Sequence, residues 1–182
     1  VKHIMLHMSS ALLDLFGGQP MLETADHLYR PPPSTWADPG RAGGYGWGQI
    51  SHALAALFCV CPIQPLSVRG ICSKSPTKVD YFDAAIVEFD QGATASLSGA
   101  AGLPKHSPPQ LDLRVYGSEG MLLLDVEEGR ERLTLSRFDG EDLIHKIEPG
   151  GGYGSYSTEE SVNRFVEICR GENARNCGDH EI

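Results

Sequence analysis

The stretch that decides the fold is GGYGWGQISHALAALF, residues 43–58. Four glycines among its first six residues give a backbone that can bend close to another group. An apolar pattern with helical spacing follows at once. The sequence therefore predicts a glycine-rich loop that leads directly into a helix.

Helical periodicity divides this stretch into two faces. At about 100° per residue, Tyr45, Gln49 and His52 fall within one arc. The apolar side chains gather on the far side: Ile50, Leu54, Leu57 and Phe58. One face can pack into a core while the other offers a phenol, an amide and an imidazole. A helix histidine with a satisfied hydrogen bond is the alternative interpretation of His52. Trp47 lies nearer the apolar face, so it either packs in the core or forms an apolar wall of a ligand site.

Size, charge and composition restrict the class of protein. The 182 residues, 41% hydrophobic and 21% charged, suit a single globular domain. A net charge of −9 disfavours binding to nucleic acid or anionic lipid. We see no apolar run of membrane-spanning length and no signal-peptide layout at the start, VKHIM. We therefore expect a soluble cytoplasmic domain.

The cysteines and histidines give little indication of a metal site. The odd, scattered set of five cysteines predicts reduced thiols rather than a disulfide framework. His3 and His7 share one face of a predicted strand, where they form either a surface or interface pair or part of a metal site. His106 lies in a loop between hairpins and is either exposed or close to a ligand. We expect no bound metal.

The order of elements predicts an α+β fold. A strand at residues 1–8 comes first, and the run PPP at residues 31–33 predicts a loop over residues 29–40. Three hairpins follow the central helix: 81–89 with 93–101, 111–116 with 121–126, and 132–138 with 142–147. A flexible connector at 150–154 precedes a helix that opens at Thr158 and is closed by Gly171. This order predicts an open, mainly antiparallel sheet with helices on one face. Its uncovered face predicts a homo-oligomer.

The chain lacks the usual catalytic motifs. Both G-x-G clusters fail the dinucleotide fingerprint, because Gln49 and Ser157 stand where its third glycine or alanine belongs. Strands and helices do not alternate, and no P-loop or G-x-S-x-G elbow is present. The sequence therefore contains no evident nucleotide-binding half.

Three features together resemble the C-terminal domain of the Gfo/Idh/MocA family of NAD(P)-dependent oxidoreductases. They are the glycine loop with the His52 helix, D-x-A-x-x-x-F-x-x-G-A at 83–93, and VYGSEGMLLLD at 115–125. The resemblance covers nearly the whole chain. It implies a single substrate-binding and oligomerisation domain over 1–182, with the family's N-terminal Rossmann domain absent from this chain. It also implies that NAD or NADP is bound by that other domain, and no cofactor by this chain alone.

The family's motif in the central stretch is similar to G-G-G-x-x-x-D-x-G-x-H-x-x-D. His52 falls on its histidine, while Gly48, Ile50 and Ala55 replace its acidic residue, its second glycine and its final Asp. In full-set members the histidine and the acidic residue contact sugar hydroxyls, and a lysine from the other domain assists proton transfer. The resemblance thus implies that His52 is the site residue retained here.

The expected function is that of the C-terminal half of an oxidoreductase acting on a sugar, cyclitol or related polyol. A neutral imidazole at His52 can accept the hydroxyl proton of a secondary alcohol. Tyr45 and Gln49 could orient hydroxyls, and Trp47 could lie against the sugar ring. The alternative is a non-catalytic dimerisation or ligand-sensing module on the same scaffold, since Gly48 replaces the acidic partner. On either reading, this chain alone is expected to be inactive.

Overall fold

The fold is described by a computed structural model over residues 1–19, 32–147 and 158–171. The strands are β1 (His3–Ser9), β2 (Pro65–Lys74), β3 (Asp80–Phe89), β4 (Thr94–Ala100), β5 (Gln110–Tyr116), β6 (Gly120–Asp125), β7 (Arg132–Arg137) and β8 (Leu143–His145). The α-helices are α1 (Leu13–Phe16), α2 (Pro33–Trp36), α3 (Ser51–Val60) and α4 (Thr158–Cys169). A π-helix at Gly46–Ile50 precedes α3, and 3₁₀ turns occur at Pro39–Arg41 and Asp90–Gly92.

The strands form one eight-stranded sheet in the order β2-β3-β4-β1-β5-β6-β7-β8. Every neighbouring pair is antiparallel except β1 and β4, which run parallel. The three predicted hairpins are confirmed as β3–β4, β5–β6 and β7–β8. The parallel pair was not predicted, because β1 reaches the middle of the sheet through contacts that no local pattern encodes. The sheet is therefore mixed but mainly antiparallel, as expected.

One face of the sheet packs against α3. Along β1, Ile4 and Leu6 are buried while Met5 between them is 44% exposed, as strand alternation requires. Ala53 and Leu57 of α3 join the same core cluster, and the partly buried Leu54 and Phe58 pack against it. The α3 side carries the core, and we refer to the other side as the open face. The predicted α+β architecture is thus confirmed.

The proline-rich run is not entirely loop. Pro33 begins α2, a single helical turn that ends at Trp36. Proline is tolerated in a first helical turn, because its missing N–H has no intrahelical acceptor there. The prediction of a continuous loop is therefore wrong over these four residues. Residues 20–31, like the predicted connector at 150–154, lie outside the described residues.

The C-terminal helix has its predicted position. It runs from Thr158 to Cys169, and Gly171 follows with φ of +72°. A positive φ at a glycine just past the last turn is a common helix end. Among the described helices, none is both long enough and apolar enough to span a membrane.

The two N-terminal histidines bind hydroxyl groups of the neighbouring strand. His3 Nδ1 is 2.9 Å from Thr94 Oγ1, and His7 Nδ1 is 2.8 Å from Ser98 Oγ. Four residues of extended strand place their Cα atoms about 13 Å apart, and each ring is turned to its own hydroxyl partner. Within the described ranges, no three His, Cys, Asp or Glu side chains are grouped as metal ligands.

Candidate functional site

Residues 43–48, the glycine turn, bend the chain at Gly43 and Gly44 and pass directly into a helix that begins with Gly46–Ile50, as predicted. The Gly43 N–H donates to the Asp38 carbonyl at 3.0 Å, and the Gly44 N–H donates to the Trp36 carbonyl at 3.1 Å. A Cβ on Gly43 would lie 2.5 Å from the Trp36 carbonyl oxygen. Gly44 has φ of +109°, a conformation that side chains disfavour. Both positions therefore require glycine.

The helix starts with a π-turn. Gly46–Ile50 is π-helical and continues without a break into α3. Its i→i+5 hydrogen bonds make a wider turn than an α-helix, so the α-helical angle per residue does not apply across it. This is why Tyr45 does not share the exposed arc of Gln49 and His52.

Tyr45 is buried. It has no exposed surface and joins a second core cluster with Phe16, whose ring lies edge-on at 6.0 Å between centroids. Its hydroxyl is 3.1 Å from Ser10 Oγ, and burial raises the pKa of the phenol to about 12. The neutral phenol therefore anchors the start of the π-turn, and its surroundings do not support the direct ligand contact expected for it.

Gly99 on β4 makes room for this arrangement. A Cβ on Gly99 would lie 2.7 Å from Ile50 Cδ1 and 2.8 Å from Tyr45 Cδ1. The missing side chain on β4 leaves room for both Ile50 and Tyr45.

Three of the predicted site residues keep access to solvent. Trp47 is 72% exposed, so it does not pack in the core. His52 is also exposed, and Gln49 is partly buried. Gln49 lies in the π-turn, and His52 lies in the first turn of α3 that follows it. Ser51 Oγ donates to the Trp47 carbonyl at 2.8 Å and ties the two helical segments together. The imidazole, the amide and the indole can all reach a ligand.

The space beside Gly48 is filled by an aromatic ring. A Cβ at position 48 would lie 3.2 Å from Phe16 Cζ and 3.8 Å from Trp36 Cε3. The family's acidic residue is expected at this position. A side chain at this position would press against the Phe16 ring and require that ring to shift.

A pair of carboxyl groups beneath the glycine turn was missed by the sequence reasoning. Asp80 Oδ2 accepts the Gly46 N–H at 2.6 Å. Burial and then the neighbouring Asp80 raise the pKa of Asp83 to about 7. In a regular strand, residues three apart face opposite sides, so spacing alone could not reveal this pair. An irregularity in β3 brings them together.

The open face carries a broad depression of about 810 Å³ on the side of the sheet opposite α3. Met5, Ile71 and Ile86 supply exposed apolar surface there. Arg114 also lines it, held by two hydrogen bonds to Asp112 at 3.1 and 3.2 Å. This surface is separate from the glycine turn and is open to solvent rather than enclosed.

The sequence matches the family model described as GFO/IDH/MocA C-terminal domain over residues 17–123, more than half of the chain. It matches no curated protein. Among solved structures, an oxidoreductase from Thermotoga maritima superposes with a TM-score of 0.63 at 18% identity, covering 93% of this chain and 45% of that one.

Two dehydrogenases of named sugars share the fold. UDP-N-acetylglucosamine 3-dehydrogenase from Acidithiobacillus ferrooxidans gives a TM-score of 0.57 at 11% identity, covering 92% of this chain and 45% of that one. Levoglucosan dehydrogenase, solved with NADH and L-sorbose, gives 0.61 at 13%, covering 94% and 50%. The chain therefore spans about half the length of these structures. From the extent of the sequence match and the shared sheet, this chain belongs to the Gfo/Idh/MocA family as its C-terminal domain.

Proposed function

We propose that this chain is the substrate-binding and oligomerisation domain of an NAD(P)-dependent oxidoreductase that acts on a sugar, cyclitol or related polyol. The observation that carries the proposal is the exposed imidazole of His52 on a helix that starts at the glycine turn. The two sugar dehydrogenases that share the fold support the substrate class.

The proposed chemistry of this half is proton transfer and positioning. Oxidation of a secondary alcohol requires its hydroxyl proton to leave, and His52 accepts that proton as a neutral imidazole. The Gln49 amide orients a second hydroxyl, and the Trp47 indole offers an apolar surface to the ring. Tyr45 holds the turn from below and remains neutral, because its phenol is buried.

The cofactor is proposed to bind outside this chain. A nicotinamide dinucleotide supplies the hydride acceptor in such reactions. The glycine turn is closed by Asp38, Trp36 and Asp80 rather than open to a pyrophosphate. The residues described here therefore bind and orient substrate, and this chain by itself is inactive.

A second candidate is a non-catalytic dimerisation or ligand-sensing module on the same scaffold. It is favoured by Gly48, which provides no carboxylate at the position of the family's acidic residue, and by the Phe16 ring packed beside it, which would have to shift to admit one. Such a module would bind a polyol at the exposed side of α3 without oxidising it.

The two candidates are separated by turnover and binding measured on the full-length protein. We would test a polyol panel with NAD and NADP, following reduced cofactor by absorbance and polyol binding by calorimetry. His52→Ala should lower kcat/KM about 10²- to 10⁴-fold, the usual contribution of a general base. His106→Ala, which removes an exposed loop imidazole, should leave it unchanged. Binding without turnover would support the sensing module, and neither binding nor turnover would reject the polyol proposal.

The open face is proposed as the oligomer contact. Its exposed apolar side chains, Met5, Ile71 and Ile86, lie on adjoining parts of one surface. Burying them against a second copy would remove apolar area from water.

A further inference from the structure

An irregularity in β3 places two carboxyl groups on the side of the glycine turn. Phe82 pairs with Ser73 of β2, but Asp80 pairs with Lys74, so Tyr81 is an extra residue on β3. Such a β-bulge bends the strand and redirects the side chain next to it. Asp80 therefore faces the same way as Asp83, although the two are three residues apart.

Both carboxyl groups lie against the turn. Besides accepting the Gly46 N–H, Asp80 approaches Gly44 so closely that a Cβ there would collide with its Oδ1 atom. A Cβ on Gly46 would lie 3.5 Å from Asp80 Oδ2 and 4.0 Å from Asp83 Oδ2. Gly44 thus leaves no room for a side chain beside Asp80, whereas Gly46 lies at ordinary contact distance from both carboxyl groups.

Asp83 has a buried oxygen that lacks a donor. Among the described residues, Asp83 Oδ2 has no hydrogen-bond partner. A buried acceptor in this state is costly, and an ionised one more so. A proton held between Asp83 and the Asp80 carboxylate would remove the cost, because a protonated carboxyl group is a donor.

We propose that Asp80 and Asp83 share one proton and together hold the glycine turn in place. The pair thereby positions the segment that carries Trp47, Gln49 and His52. Loss of the proton leaves two adjacent carboxylates that repel each other and loosen the hold on Gly46. The inference does not depend on the dehydrogenase function, because it concerns the turn itself.

Among the described residues that face the carboxyl pair, none adds a charge that is shielded from water. The turn contributes the Tyr45 phenol, whose pKa of about 12 keeps it neutral below that pH. On β2, Cys72 pairs with Asp83 and Lys74 pairs with Asp80, and on β4 the partner of Asp83 is Gly99, which has no side chain. Both Cys72 and Lys74 are exposed at the edge strand, so water screens them. The raised pKa of Asp83, about 7, agrees with a proton retained near neutrality.

The test is a pH titration of the Gly46 backbone amide by ¹H–¹⁵N NMR in the full-length protein, between about pH 5 and 9. No substrate or cofactor is needed, so the result is independent of the proposed activity. The wild-type resonance should shift in a single step with a midpoint near the pKa of Asp83, about 7. Asp83→Asn, which cannot ionise, should abolish the step.

Two controls isolate the pair. Glu88→Gln changes a carboxyl group on the opposite face of β3, where it binds Ser67, and should keep the step. Because imidazoles titrate in the same range, His52→Gln is included and should also keep it. A flat wild-type titration would overturn the proposal even if a variant failed to fold, as would a step that survives in Asp83→Asn.

Discussion

The ring of Phe16 lies where a side chain at position 48 would extend, with Phe16 Cζ 3.2 Å from the Cβ that Gly48 lacks. Phe16 has no exposed surface, so its ring cannot swing into solvent without disrupting the second core cluster. This contact links a short N-terminal helix to the π-turn that precedes His52. The contact restricts the size of the side chain that position 48 can carry.

Gly48→Asp should destabilise the protein rather than restore the family's acidic residue. Forcing extra atoms against a packed ring costs about 1–3 kcal/mol, and a carboxylate beside it adds desolvation. Urea unfolding measures the loss. Gly46→Ala is the matched control in the same π-turn, because its Cβ meets nothing closer than 3.5 Å and should change stability little. A Gly48→Asp protein as stable as wild type would show that the Phe16 ring shifts to accommodate the new side chain.

Gly44→Ala should be among the most destabilising substitutions in the turn. It combines a φ of +109° with a collision at Asp80. Gly129→Ala separates the two effects, since Gly129 has φ of +80° but no atom within 4 Å of its missing Cβ. We expect about 1 kcal/mol for Gly129→Ala and at least twice that for Gly44→Ala by chemical denaturation. Equal losses would mean that the close approach of Asp80 is unimportant.

Local patterns in the sequence were enough to predict most of the fold. Alternation and glycine-containing turns identified the three hairpins, and the run after Gly48 identified the helix that bears His52. These features depend on residues that are close in sequence. The apolar arc of that helix was also predicted correctly, because Leu54, Leu57 and Phe58 lie in regular α-helix beyond the π-turn.

The details of the site could not be predicted, because they depend on distant contacts or on irregular backbone. The π-turn moved Tyr45 from the expected exposed arc into the core. The bulge at Tyr81 brought Asp80 and Asp83 to one side. An ideal helical wheel allows Trp47 either to pack in the core or to form a wall of a ligand site, and its 72% exposure shows that the core interpretation is wrong.

Asp83 should make stability fall as the pH rises. Its pKa in the folded protein, about 7, lies above the ordinary value of 3.8. Below the ordinary value the carboxyl group is protonated in both states, and the unfolded chain then ionises first, so stability is lost between about pH 4 and 7. The group is only partly buried, so we expect a loss on the order of 1–2 kcal/mol after solvent screening.

Asp83→Asn should reduce that dependence. Urea unfolding at pH 5 and pH 8 would measure it, with Glu88→Gln as the control that keeps the wild-type difference. If the stability of Asp83→Asn changes between pH 5 and pH 8 as much as that of the wild type, then Asp83 ionises normally in the folded state.

Ile86→Glu should weaken an oligomer formed through the open face. Ile86 is 61% exposed, and Ile71, 79% exposed, lies on the neighbouring strand of the same surface. Placing a carboxylate in an apolar contact without a partner costs enough to raise the dissociation constant at least tenfold. Light scattering across a protein dilution series gives the mass. Val60→Glu is the control, because Val60 is similarly exposed, at 48%, but at the end of α3 on the other side of the sheet. A wild-type protein that is monomeric at every concentration would show that no such oligomer forms. Equal effects of the two substitutions would place the oligomer contact elsewhere.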